Sequence, residues 1–270
     1  MGSSDCSAAG TRRLAGSIFV AAAVFGASSA PAVAAEDEPS ATPYRPGVAT
    51  PAALSAPGWL EIEAGIQHDR DGGGARADSL PVTLKLAFTP DWGIRLDADG
   101  LVRRRDAGSR TSGLGDAAVI LKRRFAISDD QAFGLEGGAT VPSGRRGLGS
   151  SSGKPDWGVN AIYSGDFGAW HADVNVAATR LGAVEVDVAR TQSLFVAAVS
   201  RSLGDRWSAG AEVSATRQRG AEHTSQLLVG TSYAVSPRLV LDVGASRSLR
   251  SGPPSWSVFS GFTWLATRIF

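Results

Sequence analysis

The 270-residue chain has one cysteine, Cys6, and one methionine, Met1. Cys6 falls in a segment expected to be removed on export, so the mature chain is expected to form neither a disulfide nor a Cys-ligated metal site. It also sits too early to serve as a lipid-attachment cysteine. Lysine is scarce, limited to Lys85, Lys122 and Lys154, and arginine carries most of the basic charge. The 3 histidines, His68, His171 and His223, show no helical or finger spacing, which argues against zinc. Beyond Pro57 no window offers the roughly 18 consecutive apolar residues that a spanning helix needs. The formal net charge is +1, and without Arg12, Arg13 and Asp5 acids and bases balance, so no basic field attracts nucleic acid. No cofactor is expected.

Glycine is abundant, with 33 in the chain. At the N-terminus, Arg12 and Arg13 precede the apolar run LAGSIFVAAAVFGASSA and the small-residue stretch APAVAA. That order describes a secretory signal peptide over 1–35, cleaved near Ala34 or Ala35. A retained anchor is the competing reading, weakened by the Ser, Gly and Pro content of the run. The surrounding TRRLAG lacks the rest of a twin-arginine motif, so an ordinary unfolded export route is expected. Residues 36–57 contain Pro39, Pro43, Pro46, Pro51 and Pro57. They read as a Pro/Ala-rich periplasmic linker, disordered or extended, with a short plug inside the protein as the alternative.

From residue 58 the pattern changes to strict alternation. In LPVTLKLAF, Leu80, Val82, Leu84, Leu86 and Phe88 oppose Thr83, Lys85 and Ala87; AFGLEGGATV repeats the pattern. A period of two with one apolar face is a β-strand. Applied along the chain it predicts about twelve strands, near 58–68, 80–89, 92–103, 113–125, 132–141, 155–165, 169–180, 190–202, 206–217, 223–235, 238–249 and 255–270, each close to the roughly 9 to 11 residues that cross a bilayer. The eighth strand is ambiguous in register.

Connections after even strands are short: TPD, AISDDQ, GDFG, LGDR and SPR. Those after odd strands, such as HDRDGGGARADS and PSGRRGLGSSSGK, are mostly longer and polar. Rings gather beside the short turns, among them Trp92, Phe125, Phe133, Trp170, Trp207 and Tyr233. Alternating turn length and an aromatic girdle describe an all-β transmembrane antiparallel up-and-down β-barrel over 58–270, in contact with outer-membrane lipid. Opposite the apolar stripe stand Glu61, Glu63, Lys122, Asn160, His171, Asn175, Glu212 and Asp242, together with the six predicted lumen-lining residues Lys85, Arg95, Asp97, Asp99, Glu136 and Asp173. A lipid-facing midplane Arg or Lys costs about 2 to 4 kcal/mol, so these side chains are expected to face inward. Phe262, Trp264, Ala266 and the terminal Phe270 are expected to share the lipid face of the last strand, which pairs with the first to close the barrel.

Several stretches resemble a known family. SGLGDAAVILKRRF (112–125), the strand ending in VPSG, the glycine-rich segment running through GKPDWGVNAIYSGDFGAWHADVNVAATRLG, and the terminal aromatic strand are similar to the outer-membrane barrel family labelled "putative MetA-pathway of phenol degradation". The resemblance covers most of 58–270. It implies a channel or transporter-like barrel in a Gram-negative outer membrane, with passive passage of small, aromatic or hydrophobic molecules. It further implies that Phe262, Trp264 and Phe270 form the signal read by the barrel-assembly machinery. Arg268 departs from the pattern, standing where such strands carry an apolar or aromatic residue. No substrate-binding positions carry over.

Enzymatic readings find little support. GSSSG (149–153) matches G-x-S-x-G with Ser151 as nucleophile, but a polar loop leading to Pro155 lacks the strand–turn–helix that elbow requires. SSSGKP fails the phosphate-loop spacing at Leu148 and Pro155. His68 beside Asp69, and His223 beside Glu222, leave an outer-membrane hydrolase as a minor alternative, without a converging constellation. A structural or adhesive barrel, its mixed-charge lumen filled by ion pairs, is the third reading.

Overall fold

We describe the protein from a computed structural model covering residues 38–144, 151–250 and 254–270 together with Ala23–Val24. Apart from that pair, the expected signal peptide lies outside the described residues. The strands are β1 (Trp59–Arg70), β2 (Arg76–Ala87), β3 (Trp92–Asp106), β4 in two pieces (Ser109–Gly113 and Ala117–Ala126), β5 (Gln131–Val141), β6 (Trp157–Phe167), β7 (Trp170–Arg180), β8 (Thr191–Leu203), β9 (Trp207–Gln218), β10 (Thr224–Ser236), β11 (Leu239–Ser248) and β12 (Trp256–Arg268). Each pairs antiparallel with its neighbour, and β12 pairs with β1, giving a closed 12-strand barrel. Closure leaves no strand edge with unpaired backbone groups in lipid, the condition for a β-protein to cross a bilayer.

The barrel is inside-out relative to a water-soluble fold. Leu96, Leu121, Leu135, Val176, Val199, Val229 and Val243 are exposed on the outer surface, whereas Glu61, Glu63, Lys85, Arg95, Lys122 and Glu136 are buried. An apolar exterior around a charged interior is stable only if the surrounding solvent is hydrocarbon. Beside the turns 88–91, 127–130, 168–169, 204–206 and 237–238, the outward rings Trp92, Phe125, Phe133, Phe167, Trp170, Trp207 and Trp264 form a girdle. Arg123 covers the Trp92 and Phe125 rings, at 5.0 and 4.6 Å from their centroids, and Arg201 lies 5.4 Å from that of Trp170. These cations lie over girdle rings at the level where snorkelling to headgroups is favourable.

At the opposite end, two of the expected long loops are strand instead. Arg70 pairs with Arg76 across a turn at 71–75, and Asp106 pairs with Ser109 across Ala107–Gly108. Ala107 and Gly108 both have positive φ, 43° and 85°, the requirement of a type I′ hairpin turn. These extensions rise above the lipid band, where the ladder continues but no apolar face is needed. Their sequence therefore looks like loop.

Strand β8 is apolar on both faces: Phe195 and Val199 point to lipid, while Val196 and Ala198 are buried inside against Ala49. That accounts for its ambiguous period. In β12 a bulge at Ala266 shifts the register between Leu265 and Thr267. Beyond it Arg268 pairs with Trp59, on the inward-facing side shared with Glu61, and its Nε donates to the Phe270 carbonyl oxygen at 2.8 Å. The bulge thus takes Arg268 off the lipid face and breaks the single stripe expected from Phe262 to Phe270. Phe262 and Trp264 keep that face, and Phe270 lies beyond the strand end.

Candidate functional site

The interior is organised by residues 38–57, the stretch whose prolines suggest a flexible linker. The segment enters at the short-turn end, where Glu38 pairs with Arg238 at 3.0 Å and the Ala41 N–H donates to the Pro237 carbonyl. It climbs along β1: the Thr42 and Tyr44 N–H groups donate to the carboxylates of Glu61 and Glu63. It then crosses the bore. The Val48 and Ala49 N–H groups donate to Glu212 Oε2 on β9 at 2.7 and 2.8 Å, and the Thr50 N–H donates to Asn175 Oδ1 on β7. On the way back, the Ala52 N–H donates to Ser164 Oγ on β6, and Gly58 rejoins the wall through its N–H to the Ala87 carbonyl. Prolines keep the segment from extending the wall's ladder, its one strand pairing among the described residues being Pro46–Gly47 with Ala23–Val24, so the amides of Thr42, Tyr44, Val48, Ala49, Thr50 and Ala52 are met by wall side chains instead.

The wall is shaped for this plug. Arg45 forms a forked pair with Asp242, Nε to Oδ2 at 3.1 Å and Nη2 to Oδ1 at 3.2 Å. The guanidinium lies over Gly65 and Gly261, cross-strand partners on β1 and β12; a Cβ on either would come within 2.5 to 2.6 Å of it. At Gly134 a Cβ would lie 3.2 Å from the Ala52 Cα, and at Gly93 it would lie 2.9 Å from Leu54 Cδ2. Apolar seats complete the fit, with Ala49 against Val196 and Ala198, and Ala52 against Ala132 and Ile162.

Of the six predicted lumen residues, Lys85, Arg95, Glu136 and Asp173 are buried, and Asp97 and Asp99 are half-buried. Lys85 pairs with both Glu61 and Glu63 and donates to the Thr42 carbonyl. Arg95 bridges Asp97 at 2.9 Å and Glu136 at 3.2 Å. Asp173 accepts from Ser164 Oγ and faces His171 Nε2 at 3.2 Å, while His171 Nδ1 meets Asp166 at 2.7 Å. Lys85, Arg95, Asp97, Glu136 and Asp173 therefore each meet a wall partner that can carry the opposite charge, and Lys85 also meets the plug, whereas Asp99 lies beside Gly115. On the outer side of the plug, a cavity of about 70 Å³, bordered by Val48, Ile120, Glu136, Asn160 and Asn175, is smaller than the roughly 150 Å³ that holds a benzene ring.

At the outer mouth, Asp116 accepts from the Gly144 N–H and Asp156 from the Gly182 N–H, both at 2.8 Å, tying connections to the rim. Burial pushes the Asp156 carboxyl above its ordinary pKa, against the lowering effect of the Gly182 bond, and nearby Asp116 adds to the rise. Ser151 Oγ accepts from the Gly153 N–H; part of its G-x-S-x-G stretch lies outside the described residues. His68 is on the outer surface, 2.7 Å from Asp78 and tilted against Trp256, and His223 is exposed in a connection. The three histidines thus stand apart, and among the described residues no His/Cys/Asp/Glu group could hold a metal ion.

The plug residues Tyr44, Arg45, Thr50 and Ala52 are what sequence reasoning missed. Two signals pointed to them: glycines at inward strand positions, and inward apolar residues such as Val196 and Ile162 in a lumen otherwise polar.

The sequence profile of the family described as "Putative MetA-pathway of phenol degradation" matches residues 45–266. The chain belongs to that family. The match begins within the plug, so Arg45 and the residues that follow are part of the family domain. Three solved barrels share the fold. An outer membrane channel from Pseudomonas putida F1 is 13% identical, with a TM-score of 0.63 over 78% of this chain and 97% of that one. The NanC porin is 9% identical, TM-score 0.55, over 77% and 100%. The CymD monoaromatic hydrocarbon channel is 10% identical, TM-score 0.50, over 80% and 90%. No curated protein matches the sequence.

Proposed function

We propose that this protein is a plugged passive conduit of the bacterial outer membrane, admitting small aromatic or hydrophobic solutes when residues 38–57 leave the bore. The observation that carries this reading is a charged bore, inside a lipid-facing shell, obstructed by a segment held through non-covalent contacts alone among the described residues. A plug satisfied by hydrogen bonds and ion pairs can exchange those partners for water and undock, whereas an apolar core cannot. The cargo class is supported by the family description and by the name of the CymD relative. In this account Lys85, Arg95, Asp97, Asp99, Glu136 and Asp173 set the charge preference of the open bore, and no step makes or breaks a covalent bond. Phe262, Trp264 and Phe270 form the assembly signal.

The dense ion pairing around Lys85 and Arg95 also suits a structural barrel whose lumen stays filled. Solute entry into proteoliposomes separates the two. Swelling in glycerol or small sugars faster than that of empty liposomes supports the conduit, and swelling no faster than that of empty liposomes in every such solute supports the structural barrel.

A further inference from the structure

The Tyr44 side chain is fully buried, and three cations from consecutive strands surround its ring. Lys85 Nζ on β2 lies 3.8 Å from the ring centroid, Lys122 Nζ on β4 lies 4.4 Å away, and the Arg95 guanidinium carbon on β3 lies 5.6 Å away. All fall within the roughly 6 Å over which a cation is attracted by an aromatic face. The phenol hydroxyl donates to the Ala53 carbonyl at 2.6 Å and accepts from Lys122 Nζ at 2.9 Å. Lys85 and Arg95 stand directly opposite each other in the ladder, an arrangement that like charges disfavour. Each has carboxylates on its flank, Glu61 and Glu63 for Lys85 and Asp97 and Glu136 for Arg95, and each still lies within reach of the ring.

We propose that the wall patch of Lys85, Arg95 and Lys122 is a binding station for phenol-type solutes, and that Tyr44 occupies it as a tethered ligand while the plug is docked. The inference rests on the conduit reading and names its binding site. A phenol entering the bore meets cations within reach of its face and an ammonium beside its hydroxyl, and it competes with Tyr44. Solute binding and plug release are then coupled, because both require the same site.

The test is calorimetric titration of phenol and cyclohexanol, which share a hydroxyl and a similar size but differ in the aromatic face. The full-length Tyr44→Ala protein in detergent is expected to bind phenol at least about tenfold more tightly than cyclohexanol, in keeping with desolvated cation–π contacts. Tyr44→Phe keeps a ring in the station and is expected to exclude phenol as the parent protein does. Adding Lys85→Met and Lys122→Met to Tyr44→Ala is expected to abolish the preference. Equal affinity for the two alcohols, a preference that survives loss of both lysines, or phenol binding gained equally by Tyr44→Phe would overturn the proposal. Retention of the heat-modifiable barrel band on gels shows that each variant is folded. Glycerol flux through Tyr44→Ala proteoliposomes tests the conduit separately. Flux without phenol preference overturns the station alone, whereas phenol preference without flux upholds the station and overturns the conduit.

Discussion

Arg45→Ala is the substitution most informative about the plug. Arg45 and Asp242 have side chains 4% and 3% exposed, and removing the guanidinium strands the carboxylate beneath the docked segment. Breaking a buried ion pair from one side costs about 3 to 5 kcal/mol. The lower end applies here, because undocking lets water reach Asp242. A loss of about 3 kcal/mol moves the docking equilibrium roughly 100-fold toward the open state. The barrel is spared, since Arg45 contributes nothing to the barrel's strand ladder. Two readouts follow: faster proteoliposome swelling, and cleavage of residues 38–57 by a broad-specificity protease offered from the short-turn side. Adding Asp242→Ala removes the stranded charge, so the double variant should leak less than Arg45→Ala alone. Unchanged flux and unchanged protease protection in Arg45→Ala would refute the reasoning, as would a double variant that leaks more than the single.

Other consequences are equally direct. Val176 lies on the lipid face near the middle of β7, 56% exposed, so Val176→Arg should destabilise the barrel by about 2 to 4 kcal/mol in folding titrations into liposomes; a neutral effect would contradict the membrane-spanning assignment. Lys85→Glu or Arg95→Glu, each combined with Arg45→Ala, should shift reversal potentials toward cation preference in planar bilayers, and an unshifted potential would remove these residues from the conducting path. Deleting Phe270 should lower the amount of assembled barrel in outer membranes, whereas Arg268→Ala should leave it near the parental level because the β12 bulge has already taken Arg268 off the lipid face. Equal defects in the two would count against that distinction.

The strands were legible in the sequence because lipid demands an apolar residue at every second position, and that demand is written locally, as in LPVTLKLAF. The inward placement of Lys85, Arg95, Glu136 and Asp173 followed from the same alternation. The outer hairpins were hidden because Arg70, Arg76, Arg105 and Arg110 pair above the lipid band, where nothing forces an apolar face. The plug was hidden for a different reason. A segment with prolines at 39, 43, 46, 51 and 57 has one composition whether its amides are met by water or by Glu61, Glu63, Glu212 and Asn175. Only long-range pairing distinguishes the two states, and the local trace of that pairing is faint: Gly65, Gly93, Gly134 and Gly261 inside the wall, and a β8 that is apolar on both faces.

The central claim is that residues 38–57 close a bore that otherwise passes small solutes. Because the Ala52 Cα lies 3.2 Å from where a Gly134 side chain would begin, Ala52→Cys with Gly134→Cys, in a Cys6→Ser background, places two thiols close enough to test for a plug-to-wall disulfide. Glycerol entry into proteoliposomes should fall to the rate of empty liposomes when this pair is oxidised and rise again on reduction of the same sample. Equal entry in the oxidised and reduced states, with the disulfide verified by mass spectrometry, or no entry in either, would contradict the account.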